Sequence, residues 1–185
     1  LHMEQKCYMY EVILNLLKGN NHLRKIAKEI DINHMTVKRI LDGLIKNNIL
    51  DVKVQGRNNI FSIKKTIEAK NSVLISEIYK FDKLIKFHPE LKKNIREIQT
   101  ISDDIILIFG SYAKFIETHK SDIDIYINTS NSLIKKKIGK INKKFSVKIG
   151  KYDKNSLLIK EIEKNHIVVK GVEYFYEKNK FFNET

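Results

Sequence analysis

The fold of the C-terminal part of the chain is indicated most clearly by one stretch, Ile108-Phe-Gly-Ser-Tyr-Ala-Lys-Phe-Ile-Glu-Thr-His-Lys-Ser-Asp-Ile-Asp-Ile-Tyr-Ile127. The apolar, β-branched run that ends at Phe109 predicts a buried strand, and Gly110 then lets the backbone turn tightly. Asp122 and Asp124 stand two apart in a second strand-like run, so their side chains point to one face while the neighbouring isoleucines face the core. We therefore expect two strands that present a Gly-Ser turn and a pair of carboxylates.

Phosphate and Mg²⁺ are the ligands that suit this pattern. The backbone N–H groups of Gly110 and Ser111, at the start of a predicted short helix, and the Ser111 hydroxyl can donate to a phosphate. Mg²⁺ is usually shared between one or two carboxylates and substrate phosphates, which makes Asp122 and Asp124 the candidate metal ligands and catalytic residues. The alternative is a glycine turn followed by an amphipathic strand with solvated aspartates.

The Gly110-Ser111 pair, the short insert and the run Ser-Asp-Ile-Asp at 121–124 resemble the signature of the DNA polymerase β-like nucleotidyltransferase superfamily, particularly its minimal nucleotidyltransferase branch. The resemblance covers about residues 100–178, because the segment 157–176 is similar to the end of such domains. It implies transfer of a nucleoside monophosphate from an NTP, with ATP the preferred candidate, to an acceptor such as a protein side chain. Gly110 and Ser111 would contact the nucleotide phosphates, and the two aspartates would bind Mg²⁺.

Two positions depart from the pattern of that superfamily. A third carboxylate usually comes from a later strand, but the candidate strand at 145–150 carries Lys148, and the nearest downstream carboxylate is Asp153. A lysine beside two aspartates would form ion pairs with them and compete with Mg²⁺, and its presence in place of a carboxylate removes one candidate base for the attacking hydroxyl. Lys148 is also a candidate nucleotide-binding residue. Phe115 stands where the family tends to carry glycine. Nucleotide binding without turnover is therefore the alternative to catalysis, and whether the protein is an enzyme stays open.

Residues 1–64 predict a second domain. Apolar residues recur at helical spacing on both sides of a short turn at 31–33, a pattern that resembles a helix-turn-helix. Two strand-like runs at 49–54 and 59–63 flank turn residues and predict a β-hairpin. With an opening helix over about residues 4–17, this order resembles a winged-helix domain.

The winged-helix resemblance implies duplex DNA as a partner. The second helix of the helix-turn-helix would enter the major groove, and the hairpin tip would reach a phosphate or the minor groove. The candidate DNA-binding residues are His34, Thr36, Lys38 and Arg39 on that helix and Lys53 and Arg57 on the hairpin. There are two alternatives: the winged helix contacts a protein, or the basic face of its helix is merely solvated.

Residues 65–100 predict a helical linker between the two domains. Its first helix covers about residues 66–87, and its second begins near Pro89, a favourable first-turn position. The broad apolar face of the first helix either pairs with its twofold mate in a homodimer or packs onto its own domain. Residues 101–185 then form the minimal nucleotidyltransferase-like domain, a mixed sheet flanked by helices, so the predicted fold class is α+β.

The composition of the chain favours a polyanionic partner. Lysine and arginine number 35 against 22 acidic residues, giving a net charge of +13 and a pI near 9.6. Lysines are densest at 135–144, opposite a helical stripe of isoleucines, but an exposed helix that covers a sheet has the same pattern. No apolar run approaches the roughly 20 residues of a membrane span, and we predict no membrane partner and a cytoplasmic location.

Three functions are consistent with these predictions. The first is a nucleotidyltransferase that transfers NMP from an NTP with Mg²⁺ and is coupled to a DNA-binding winged helix. The second is a DNA-binding transcriptional regulator whose nucleotidyltransferase domain is degenerate and only senses a nucleotide. The third is an antitoxin-like protein that binds a separate helical partner, an inference from fold-level analogy.

Overall fold

The computed structural model describes residues 2–183, with side chains from residue 7 onward, and it divides the chain into two compact units. The first unit runs to Tyr79 and includes residues 181–183, and the second comprises Lys80–Lys180. The fold is mixed α and β, with 54% helix and 19% strand. None of the described helices is long and apolar enough to cross a membrane.

The first unit combines helices with a three-stranded antiparallel sheet. Its elements are α1 (His2–Leu17), β1 (Asn21–His22), α2 (Leu23–Glu29), α3 (His34–Lys46), β2 (Leu50–Gln55) and β3 (Asn58–Ile63). β2 and β3 form a hairpin, and β1 pairs with the other edge of β3, so the strand order is β1-β3-β2. The predicted helices and the hairpin are thus present at the expected places.

Local sequence explains why α3 begins and packs where it does. Asn33 caps the helix, because its side chain accepts the backbone N–H of Thr36 at 2.8 Å. Val37, Leu41 and Leu44 recur at helical spacing and are buried. One face of α3 therefore belongs to the core, and the opposite face is left to solvent.

The helix α4 (Ile67–Phe87) contributes to both units. Its residues up to Tyr79 belong to the first unit, and those from Lys80 belong to the second. A 3₁₀ turn at Pro89–Leu91 and α5 (Lys92–Ile101) follow. The two helices predicted within residues 65–100 are confirmed, and α5 supplies buried isoleucines to the core of the second unit.

The second unit is built on a four-stranded mixed sheet. Its further elements are β4 (Ile106–Phe109), α6 (Gly110–Lys114), β5 (Ile123–Ile127), α7 (Ser132–Ile141), β6 (Phe145–Ile149), α8 (Leu157–Lys164), β7 (His166–Lys170) and α9 (Val172–Lys178). The strand order is β6-β5-β4-β7. β4 is antiparallel to both of its neighbours, whereas β5 and β6 are parallel and joined by the crossover helix α7. The predicted mixed sheet flanked by helices is therefore present.

The packing of β5 determines where the aspartates point. Ile123, Ile125 and Ile127 enter one apolar cluster together with residues of α5, α7 and β6. Successive side chains of a strand alternate between its faces, so Asp124 lies on the face opposite this cluster. The hydrophobic core thus directs the carboxylate away from itself.

Candidate nucleotide and metal site

Gly110 and Asp124 lie against each other at one end of β4 and β5. The two strands pair antiparallel with Phe109 opposite Asp124, so the residue after Phe109 reaches the carboxylate. Gly110 has φ +72°, in the left-handed region that favours glycine. A Cβ at this position would lie 2.5 Å from Asp124 Oδ2. The missing side chain of Gly110 is therefore what makes room for the carboxylate.

The other predicted site residues of this stretch are close in the chain and in the fold. Asp122 directly precedes β5 and is exposed, whereas Asp124 is half-buried. Ser111 is half-buried and is the second residue of α6, after Gly110. The side chain of neither aspartate makes a hydrogen bond or ion pair with any residue that the structure describes. Both carboxylates therefore keep their oxygen lone pairs for a ligand.

Lys148 does not lie directly beside the two aspartates. The parallel register of β5 and β6 pairs Asp124 with Ser146 and pairs Tyr126 with Lys148. Lys148 is exposed and forms no ion pair within residues 7–183, so the pairing with the aspartates that we expected from the sequence is not formed. Ser146 is the residue opposite Asp124, and the pattern of residue types could not reveal it because the pattern does not contain the strand register.

The residues at this site fit a Mg²⁺ ion that is shared with a substrate. Among the described residues, no group of three His, Cys, Asp or Glu side chains is placed to hold a metal ion. Mg²⁺ commonly takes one or two carboxylates, keeps some waters and draws its remaining ligands from phosphates. Asp124, whose carboxylate adjoins Gly110, and Asp122, two residues before it in the chain, are the residues that could supply the protein part of such a ligand set.

Phe115 ends α6 in a backbone conformation that favours glycine. Its φ is +56°, in the left-handed region, where a residue with a side chain is strained. Its ring packs edge-on against Phe87 with centroids 5.9 Å apart, and Lys83 Nζ lies 5.2 Å from the ring centroid. These contacts help to hold the turn in the shape that a glycine would adopt without them.

The insert between α6 and β5 is anchored by His88. Its Nε2 lies 2.6 Å from Glu117 Oε1 in the insert, and its Nδ1 lies 3.1 Å from Glu90 Oε1. The imidazole also packs against the Tyr112 ring at 5.0 Å between centroids. Burial, together with the two carboxylates, raises the pKa of the Tyr112 hydroxyl. Tyr112 is thus part of the packing that supports the turn.

The candidate DNA-binding residues lie on the surface of the first unit. The exposed ones are His34, Lys38 and Arg39 on α3, Lys53 on β2 and Arg57 in the two-residue turn between β2 and β3. Thr36 is half-buried, and its backbone N–H is used by the cap of α3. Met35, which the sequence did not single out, is 75% exposed at the start of the same helix.

The turn at Gly110 and Ser111 beside the Asp124 carboxylate is the feature that resembles nucleotidyltransferases in the sequence, and comparison with known proteins points to the same class. The chain is 37% identical over 86 residues to a protein of Methanocaldococcus jannaschii that is provisionally named a protein adenylyltransferase. The matched part is 43% of this chain and 69% of the relative. The chain therefore belongs to the same nucleotidyltransferase family as this relative. No family model matches the chain, and no solved structure matches it significantly.

Proposed function

We propose that the protein transfers a nucleoside monophosphate from an NTP to an acceptor hydroxyl at the site formed by Gly110, Ser111, Asp122 and Asp124. The observation that carries this proposal is the contact between Gly110 and the Asp124 carboxylate, because it joins a phosphate-binding turn to a metal-binding group. The name of the relative favours ATP as the donor and a protein side chain as the acceptor.

The proposed reaction exchanges a phosphoanhydride bond of the NTP for a phosphodiester bond to the acceptor. The acceptor oxygen bonds to the α-phosphorus, the bond from that phosphorus to the bridging oxygen breaks, pyrophosphate leaves, and the acceptor proton passes to water. The backbone N–H groups of Gly110 and Ser111 would donate to the phosphates of the bound nucleotide. A Mg²⁺ ion held by Asp122 and Asp124 would neutralise charge on those phosphates. Asp124 is half-buried against the turn, so its carboxylate lies beside the residues that would contact the phosphates.

Calorimetric titration with Mg²⁺-ATP and the other NTPs tests this site. We expect Asp124→Ala to lose binding and Asp122→Ala to weaken it, because each removes a carboxylate that would hold Mg²⁺. Asp82→Ala is the matched control, since Asp82 is an exposed aspartate on α4 of the same unit and should leave the affinity unchanged. Equal affinities for the three variants and the parent would exclude the proposed site.

Labelled transfer separates an enzyme from a nucleotide sensor. Incubation with ATP labelled at the α-phosphate should mark an acceptor in a lysate with the parent protein and not with Asp124→Ala. Binding of the nucleotide without any labelled product would favour the degenerate, sensing alternative. Absence of binding, together with co-purification of a helical protein, would favour the antitoxin-like alternative.

A second function, DNA binding by a winged helix, is supported by the exposed cations of α3 and the hairpin. We propose that α3 contacts duplex DNA and that Arg39 neutralises a phosphate or reads a base edge. Arg39→Ala should weaken duplex binding and lower the steepness of its salt dependence by about 1 if the contact is to a phosphate. Arg96→Ala, at an exposed arginine of α5, is the matched control. Equal salt dependence in the two variants would refute this role of α3.

A further inference from the structure

The net positive charge of the chain is concentrated in one segment of the second unit. Residues 125–152 contain eight lysines and no arginine, aspartate or glutamate, so they carry +8 of the net charge of +13. The segment comprises most of β5, the crossover helix α7 and the edge strand β6. A single region of the fold therefore accounts for most of the excess charge.

The lysines of α7 point away from the sheet. Ile138 is fully buried in the core cluster and Ile134 packs against the same cluster. With 3.6 residues per turn, Lys136 and Lys140 then lie on the opposite side of the helix, and Lys137 lies between that side and the buried stripe. All three are exposed, and none makes a hydrogen bond or ion pair within the described part of the chain. This outer face of α7 is thus a positively charged surface without internal compensation.

The charge pattern of α7 does not stabilise the helix. Lys140 stands four residues after Lys136 and three after Lys137, and like charges at these spacings repel each other. Solubility alone requires only polar residues, and glutamate or glutamine would serve a helix equally well. The next helix along the chain, α8, mixes lysine with glutamate on its exposed positions. The uncompensated charge of α7 is therefore better explained by an anionic partner.

The lysine-rich segment meets the candidate nucleotide site at the turn from α7 to β6. The backbone N–H of Ile123 donates to the carbonyl of Lys144 at 2.8 Å, and Lys144 Nζ donates to the carbonyl of His119 at 2.9 Å. Ile123 stands between the two aspartates in the chain, so this turn adjoins the carboxylates. A long anion that follows α7 toward its C-terminal end would arrive at the proposed site.

We propose that the outer face of α7 binds the sugar-phosphate backbone of a double-stranded nucleic acid, as a surface additional to α3 and independent of the transfer reaction. Lysine is a compact point charge that suits phosphate contacts, and such contacts are independent of base sequence. Proteins that bind single strands add aromatic side chains on which bases stack, whereas α7 contains no aromatic residue. The surface therefore recognises a duplex by its charge.

Fluorescence anisotropy with a labelled 20-base-pair duplex, recorded at several salt concentrations, tests the proposal on the full chain. The variant K136Q/K137Q/K140Q removes the three charges of the outer face. Each phosphate contact contributes about 0.9 to the salt slope, so we expect the slope to fall by about 2 to 3 and the affinity at 0.1 M salt to fall by roughly 10²-fold. The control variant K160Q/K164Q/K178Q removes the same charge from exposed lysines of α8 and α9.

Thermal unfolding of the same variants shows whether a loss of binding reflects a loss of structure. Glutamine has nearly the helix propensity of lysine, and its introduction removes the repulsion within α7, so K136Q/K137Q/K140Q should melt at or above the temperature of the parent. Reduced binding at an unchanged melting temperature is the result that the proposal requires. A lower melting temperature would assign these lysines a structural role and overturn the proposal.

Three binding results would also overturn the proposal. Equal losses in the α7 variant and the α8–α9 control would mean that only the net charge matters. An unchanged salt slope in the α7 variant, with duplex binding lost in Arg39→Ala, would place all nucleic-acid contacts on α3. In a competition experiment, polyglutamate and unlabelled duplex can be compared at equal concentrations of negative charge. Equal competition by the two would show that the surface accepts an acidic polypeptide instead.

Discussion

Replacing Gly110 by alanine should disable the nucleotide site much more strongly than it destabilises the fold. The added Cβ would lie 2.5 Å from Asp124 Oδ2, about 0.9 Å short of the 3.4 Å at which ordinary contact begins. The backbone at this position also has φ +72°, which alanine adopts only with strain. Both effects act at the point where the turn meets the carboxylate.

The sizes of the two effects of Gly110→Ala depend on whether the Asp124 carboxylate or the backbone moves to relieve the close contact. The Asp124 side chain makes no hydrogen bond or ion pair with any described residue, so its carboxylate can rotate away at little cost. Backbone strain then dominates, and we expect the free energy of unfolding to fall by about 1–3 kcal/mol. Binding and transfer are more sensitive, because a displacement of about 1 Å at a reacting centre can cost roughly 10²-fold in rate.

Urea denaturation and calorimetry with Mg²⁺-ATP measure the two effects of Gly110→Ala separately. Gly139→Ala is the matched control, because Gly139 lies in α7 with nothing within 4 Å of an added Cβ, and alanine should raise the free energy of unfolding there by about 0.5–1 kcal/mol. In an Asp124→Ala background, Gly110→Ala should cost only the backbone strain. Retention of the parental affinity for Mg²⁺-ATP by Gly110→Ala would refute the reasoning.

Further predictions concern the strand register and the buried tyrosines of the second unit. Ser146→Asp should tighten Mn²⁺ binding in a calorimetric titration, because Ser146 stands opposite Asp124 in the sheet. Lys148→Asp should leave the affinity for Mn²⁺ unchanged. Tighter binding by Lys148→Asp than by Ser146→Asp would contradict the register. Burial raises the pKa of Tyr126 to about 12, above its unfolded value of about 10, so stability is lost as the pH rises through this window. Between pH 8 and pH 11, urea titrations should show a loss of stability that is smaller by roughly 1 kcal/mol in Tyr126→Phe than in the parent, and equal losses would contradict this role of Tyr126. The Tyr152 hydroxyl donates a hydrogen bond to Glu163 Oε1 at 2.6 Å, so Tyr152→Phe should lower the free energy of unfolding by about 1–3 kcal/mol. Glu163→Gln should lower it less, because the amide oxygen of glutamine still accepts this bond. Equal losses in the two variants would be evidence against the bond.

Much of the local structure could be predicted from the sequence because its causes are local. Asn33 accepts the backbone N–H of Thr36 three residues later, which starts α3 at the predicted place. Gly56, with φ +59°, allows the tight turn that makes a hairpin of β2 and β3. The alternation of β5 separates its isoleucines from its aspartates on the two faces of the strand. Each of these features depends on residues only a few positions apart.

The arrangement of the site depended on contacts between residues that are distant in the chain. Register across the α7 crossover places Ser146 opposite Asp124 and moves Lys148 two residues further along, which residue types alone do not encode. The division of the chain is likewise tertiary, because the ring of Phe181 packs under Lys65 Nζ at 3.5 Å and joins the C-terminal segment to the first unit. The helices and the strands could therefore be predicted from residue patterns, since periodicity and capping act over a few residues. The tertiary structure alone decided which side chains meet, because strand pairing and core packing bring together residues that no local rule relates.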